Sequence, residues 1–169
     1  MTTQWMPLDQ WNALKSGHGC PMCSRLEEDG VSRPGHTDDY GHTVADLGHS
    51  VLRLAADQFS PGYCVLIGRS HGPELHDLPD QSRAGFFADL VESNHAIATA
   101  MRADKMNIQI LGNAVPHVHA HLVPRYHGDP SPGAPLMSNP NQPVTMSTTQ
   151  YLQRAKLIRS HLSPGRDRT

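Results

Sequence analysis

The sequence predicts one α+β domain, an antiparallel meander sheet covered by a long helix. Three observations point there. Short runs such as Val51-Leu52-Arg53-Leu54 and Tyr63-Cys64-Val65-Leu66-Ile67 read as strands separated by a Ser60-Pro61-Gly62 turn. Residues 80–103 recur with the period of an amphipathic helix, and His117-Val118-His119-Ala120-His121 alternates like a strand. Strands joined by short turns pair antiparallel, and a helix with one apolar stripe buries it on a sheet. At 169 residues the chain is long enough for one core and is read as a single domain over residues 1–169.

Taken in order, Asp9 to Ser16 form a short helix that stops before Gly17. Residues 25–48 are polar and hold Gly30, Pro34, Gly35 and Gly41, so they are read as turns with one short strand. The strands at 51–54 and 63–67 follow as neighbours, with Cys64 a small core residue. From Pro79 or Asp80 to Ala103 a long helix repeats Ala84, Phe87, Leu90, Val91, Ile97, Ala98 and Met101 at three- and four-residue steps, Asp80 capping its first turn. Met106 to Leu111 alternates as a further strand, and Gly112-Asn113 turns the chain into the histidine-bearing strand, which closes the meander. Residues 127–144, rich in Pro, Gly and Asn, are irregular. A last amphipathic helix runs from about 147 to 162 with Tyr151, Ala155, Ile158 and Leu162 on one face, leaving 163–169 as a frayed tail. Trp5 and Trp11 are read as packing residues.

Composition narrows the function. The 14 Lys and Arg against 16 Asp and Glu exclude a general electrostatic footprint for nucleic acid or an anionic membrane, while a small anionic ligand stays possible. No apolar run approaches the ~20 residues of a membrane-spanning helix. Met1 to Pro7 lacks the basic and apolar regions of a signal peptide, so a cytoplasmic protein is expected. Cys20, Cys23 and Cys64 are too few for a disulfide framework. The Cys20-x-x-Cys23 pair is therefore a zinc half-site, a redox pair or a pair without a role; no strand precedes it as redox chemistry would want, and zinc would need two further ligands.

In an extended strand His117, His119 and His121 line one face while Val118, Ala120 and Leu122 fill the other. Two imidazolium charges about 6 Å apart repel by roughly 2.8 kcal/mol at an effective dielectric near 20. The row therefore holds a mixture of neutral and protonated rings, as a site needs when one imidazole attacks and another supplies a proton or positive charge. From spacing alone the row reads first as a metal-binding strand, then as a catalytic strand, and last as an accident of a histidine-rich chain.

The surrounding residues carry a resemblance. Gly112-Asn113-Ala114-Val115-Pro116-His117-Val118-His119-Ala120-His121-Leu122-Val123-Pro124-Arg125 resembles the signature of the histidine triad family of nucleotide hydrolases and transferases. Pro61 to His71, reading PGYCVLIGRSH, resembles the family's strand ending in a basic residue and a histidine, and Cys20-Pro21-Met22-Cys23 resembles the paired cysteines of its zinc-containing members. Together these matches run from about residue 20 to 130 and imply a histidine-triad-like fold with its core at about 18–130. They imply one structural zinc per chain on Cys20, Cys23, His71 and His117, which keeps His117 neutral, with His18 as reserve ligand.

The resemblance also implies the chemistry. His119, the middle histidine, attacks the α-phosphorus of a nucleotide, and water resolves the covalent nucleotidyl-histidine. His121 meets phosphate oxygens or the leaving group; the family's transferases carry glutamine there, so histidine favours hydrolysis. Asn113 matches the polar residue that donates to phosphate. Arg125 is placed toward phosphate and Asn107 toward ribose or phosphate, with an exposed strand end and strand pairing as the plainer readings; Arg69 is read equally as solvent-facing. Ala114 departs from a usual serine or threonine and Tyr63 from a usual histidine.

The implied substrate is a nucleoside phosphoramidate or dinucleoside polyphosphate. A nucleotidyltransferase or phosphorylase, a nucleotide-binding zinc-stabilised protein with little turnover, and a catalytic metal held by the triad itself are the alternatives. A homodimer through the long helix and sheet edge is also implied. His18, His36, His42, His49, His76, His95, His127 and His161 are read as surface residues.

Overall fold

A computed structural model describes residues 5–28 and 30–164. In chain order the elements are α1 (Leu8–Lys15), α2 (Pro21–Glu27), β1 (Thr37–Asp38), β2 (Gly41–Asp46), β3 (Ser50–Ala55), β4 (Cys64–Gly68), a 3-10 turn (Leu75–Asp77), α3 (Asp80–Met101), β5 (Lys105–Gln109), β6 (His119–Arg125) and α4 (Thr148–Arg159). The strands form one antiparallel sheet in the order β1-β2-β3-β4-β6-β5. The first four make a meander. α3 then carries the chain across the sheet, β5 takes the edge, and β6 returns into the slot between β4 and β5. The histidine strand is thus paired on both sides, so its side chains stand on backbone held by two neighbouring strands.

One face of the sheet is covered. Leu52, Leu54, Cys64, Leu66, Ala120 and Leu122 meet Phe86, Leu90 and Ile97 of α3 and Tyr151, Ala155 and Ile158 of α4 in the core. Each fully buried large apolar side chain contributes about 1.5–3 kcal/mol. The buried stripe of α3 is rotated from the predicted one: Phe86, Asp89, Leu90, Ser93, Ala96 and Ile97 face inward, whereas Phe87 is 40% and Val91 69% exposed. Two polar residues inside the stripe disguised it. Asp89 is accommodated because its carboxylate accepts the His49 backbone N–H and the Ser50 hydroxyl. Pro79, not Asp80, precedes the first turn, and Asp80 pairs with Arg83.

Two elements fall where the sequence suggested mostly turns. β2 is almost wholly buried, with its polar residues satisfied. His42 stacks on Tyr151 with ring centroids 4.4 Å apart and meets Thr37 Oγ1 through Nδ1 at 2.7 Å, and Thr43 donates to the Val31 carbonyl at 2.5 Å. His42 is therefore a core histidine, not a surface one. α2 starts with Pro21 at its first position, where a missing N–H costs nothing. α4 begins as expected, Ser147 and Gln150 capping each other's backbone N–H groups. Residues 165–169 of the expected tail lie outside the described residues. No described helix is long and apolar enough to cross a membrane.

Candidate active site

The open face of the sheet carries two cross-strand rows. Val51, Ile67 and His119 are opposed on β3, β4 and β6, and Arg53, Val65, His121 and Gln109 on β3, β4, β6 and β5. Strand alternation thus lifts His119 and His121 beside each other, with ring centroids 5.0 Å apart, into a cavity of about 420 Å³. Its walls include Val65, Ile67, Tyr63, Arg53, Tyr40 and Met22.

His117 does not share that surface. It lies before β6 begins, is 0% exposed, and turns toward α2. The three imidazoles therefore do different work. His117 Nδ1 is 3.5 Å from both Cys20 Sγ and Cys23 Sγ and 3.3 Å from His71 Nδ1, while Cys23 Sγ is 3.4 Å from His71 Nδ1. Tetrahedral zinc with Zn–N near 2.0–2.1 Å and Zn–S near 2.3 Å separates its ligand atoms by about 3.3–3.8 Å. These four distances match that spacing, and the four side chains could hold a metal ion. Their outer nitrogens agree: His117 Nε2 donates to the Gly68 carbonyl at 2.7 Å and His71 Nε2 to the Lys15 carbonyl at 3.0 Å, leaving both Nδ1 lone pairs for the cluster. His18, the reserve ligand, is not part of it.

Hydrogen bonds also orient the two cavity histidines, and one of them fixes a tautomer. His119 Nδ1 lies 2.6 Å from the carbonyl of His117, an acceptor, so Nδ1 carries the proton and Nε2 presents a lone pair. His121 Nδ1 lies 2.6 Å from the Tyr63 hydroxyl. Burial raises the Tyr63 phenol, which keeps its proton; with that proton donated to Nδ1, His121 Nε2 carries the N–H. Burial pushes His117 and His119 below the ordinary histidine value, and burial followed by the neighbouring His119 pushes His121 down to about 4. All three shifts favour the neutral ring, whereas the sequence leads one to expect a mixture of charged and uncharged rings. One ring offers a nucleophile, the next a neutral donor.

Three predicted substrate residues lie elsewhere. Arg125 spends all five guanidinium donors on protein acceptors: the Asp129 carboxylate at 2.6 and 2.8 Å, Asn107 Oδ1 at 2.6 Å, and the carbonyls of Ala134 and Ser131 at 2.8 and 2.6 Å. Asn107 is thereby an acceptor for Arg125, and both line a separate groove beside β5. Asn113 is exposed and lines a cavity with Trp5, Trp11 and Lys15. Trp5 and Trp11 pack edge to face at 5.5 Å, and Arg69 is tied to Asp46 and Ser32.

Arg25 and Arg53 were missed by the sequence reading. Arg53, 3% exposed, donates to Asp38 at 2.8 Å and to the Gly41 carbonyl at 2.9 Å; Arg25 also donates to Asp38 at 3.1 Å and lies over the Tyr40 ring at 3.3 Å. They form the cavity's far wall. A signal for Arg53 existed, because it alternates with the core residues Leu52 and Leu54 and so had to face the open side.

An antiparallel sheet backed by helices, with two oriented histidines on a central strand, defines a histidine triad domain. The HIT domain family profile matches residues 37–128, more than half of the chain, and the protein belongs to that family. Among curated proteins the chain is 35% identical over 82 residues to an adenosine 5'-monophosphoramidase of Saccharomyces cerevisiae, covering 46% of this chain and 49% of that one. It is 31% identical over 74 residues to an asymmetrical bis(5'-nucleosyl)-tetraphosphatase of Schizosaccharomyces pombe, covering 41% of each. The chain thus spans about half the length or less of these two relatives. Among solved structures, a histidine triad protein of Bradyrhizobium japonicum superposes with TM-score 0.63 at 28% identity, covering 83% of this chain and 96% of that one. Another from Sinorhizobium meliloti does so with TM-score 0.67 at 23% identity, covering 78% and 99%. The HIT profile begins beyond Cys20 and Cys23.

Proposed function

We propose that the protein hydrolyses a nucleoside phosphoramidate or dinucleoside polyphosphate at the α-phosphate, through a covalent nucleotidyl intermediate on His119. The pair of opposite tautomers on one strand carries this reading. His119 Nε2, its lone pair held free by the His117 carbonyl, attacks phosphorus, and the bond to the leaving group breaks with its electrons going to the leaving atom. His121 Nε2–H, held by Tyr63, faces the developing negative charge without first having to be protonated. Water then attacks phosphorus, the P–Nε2 bond breaks, and the nucleoside monophosphate is released with His119 regenerated.

In this reading Cys20, Cys23, His71 and His117 hold a structural zinc ion. The metal would tie α2 to the segment entering β6, and through the His117 carbonyl it steadies the hydrogen bond that orients His119. All four ligand positions are filled by protein, so the site supplies shape rather than a reactive water. The protein acts as a cytoplasmic enzyme on a small nucleotide. The exposed Phe87 and Val91 on α3, and Ile108 on the edge strand β5, support a homodimer.

Incubation with adenosine phosphoramidate and with diadenosine polyphosphates, in water and in phosphate buffer, tests the reaction class. Hydrolysis yields AMP in both buffers and is lost in His119→Ala. Accumulation of ADP from adenosine phosphoramidate in phosphate and not in water would favour a phosphorylase, and binding without turnover, unaltered by His119→Ala, a binding protein.

A further inference from the structure

His121 stands between two cavities. The larger one opens toward β3. On the β5 side a second of about 170 Å³ is bounded by Phe59, Leu111, Val123, Leu136, Met137 and Gln109, and only Tyr63 and His121 line both. The smaller cavity takes in His121 and Val123 but not His119. His119, His121 and Val123 follow one another on the same face of β6, so in the hydrolase reading a group that departs from His119 along the strand passes over His121 toward Val123.

Its chemistry is distinct from that of the larger cavity. No Lys, Arg, Asp or Glu is among its described lining residues. Gln109, opposite His121 on β5, buries an amide Nε2 that has no acceptor, a donor left for something outside the protein. The wall carrying Leu136 and Met137 is fastened at both ends. Arg125 holds Asp129 and the carbonyls of Ser131 and Ala134, while Asp57 accepts the Ser138 hydroxyl and the Val144 backbone N–H. The volume is close to that of an apolar cavity able to hold a benzene ring, ~150 Å³.

We propose that this cavity is a leaving-group subsite, taking an uncharged aryl or branched alkyl substituent on the nitrogen of a nucleoside phosphoramidate. The inference rests on the hydrolase reading above and narrows it. A polyphosphate leaving group would bring several negative charges into an apolar cavity without a cation to meet them, which desolvation opposes. In the step itself the His119–phosphorus bond forms and the phosphorus–nitrogen bond breaks. The amine departs with that electron pair and takes a proton from water, the hydroxide so formed being the nucleophile that later breaks the P–Nε2 bond; the neutral amine, substituent attached, sits in the cavity until release.

The test is kinetic, on the full chain, with adenosine 5'-phosphoramidates of ammonia, benzylamine and the cationic 2-aminoethylamine, and with diadenosine tetraphosphate. Burying even one methylene in a fitted pocket is worth roughly 10-fold or more in kcat/KM, so the benzyl compound should exceed the unsubstituted one by at least about tenfold. The cationic compound and the tetraphosphate should fall below both. Met137→Trp, made at an exposed edge of the cavity, and Leu136→Lys should each bring the benzyl-to-unsubstituted ratio close to one. A wild-type ratio near one, a faster tetraphosphate, or a preference surviving both substitutions overturns the subsite alone. Turnover of none of the four substrates overturns the hydrolase reading and the subsite with it.

Discussion

Replacing Tyr63 by phenylalanine removes one hydroxyl and leaves the ring that packs on Phe59 at 4.7 Å. What is lost is the 2.6 Å bond to His121 Nδ1. A neutral hydrogen bond contributes about 0.5–1.5 kcal/mol net, and without it His121 divides between two tautomers, of which only one presents N–H to the cavity. If that donor acts in the transition state, kcat should fall by roughly 2- to 13-fold, the factor corresponding to that energy. The assay is steady-state hydrolysis of adenosine phosphoramidate by wild type, Tyr63→Phe, His121→Ala and the double variant. The effect of Tyr63→Phe should vanish in the His121→Ala background, because the phenol acts through that ring. A kcat loss that is the same in both backgrounds, or no loss in wild type, would refute the reasoning.

Other outcomes follow from the same contacts. Between its folded value of about 4 and an unfolded value near 6.5, His121 binds a proton only in the unfolded chain, so stability declines as pH drops through that window and is unaffected by it above. Urea midpoints from pH 7 to 4.5 should therefore fall less steeply in His121→Gln than in wild type; parallel slopes would contradict this. Cys20→Ser should reduce metal content from one ion per chain to none and lower Tm by roughly 10 °C, since several kcal/mol are lost at about 2–4 °C each. Retained metal would sink the four-ligand assignment. Gly41→Ala should cost about 1–3 kcal/mol by chemical denaturation, because the new Cβ runs into the Leu54 backbone carbonyl at φ +139° and neither backbone can yield.

Features written in local spacing were legible from sequence. The alternating histidine strand from His119 on, the helical run from 80, the start of the last helix near Ser147 and the Cys-x-x-Cys pair all appear where their residue types demand. Features set by long-range satisfaction were not. β2 was obscured because His42 and Thr43 are polar yet buried, and it takes Tyr151 and Val31, distant in sequence, with Thr37 across on β1, to explain why that is tolerated. The register of α3 was misjudged for the same reason at Asp89. Asn113 and Arg125 follow the family's pattern in sequence but not in surroundings, since a one-dimensional match cannot reveal that five nearby acceptors already occupy a guanidinium. Tyr63 shows the converse, a departure from pattern that acquires a role through a single short contact with His121.

The central claim is that the lone pair of His119 captures phosphorus. Rapid mixing with adenosine phosphoramidate, acid quenching and intact-mass analysis measure it directly. The account predicts a transient adenylyl adduct that peptide mapping assigns to His119 and that is absent in His119→Ala. Full turnover by that variant, or an adduct mapped to another residue, would contradict it.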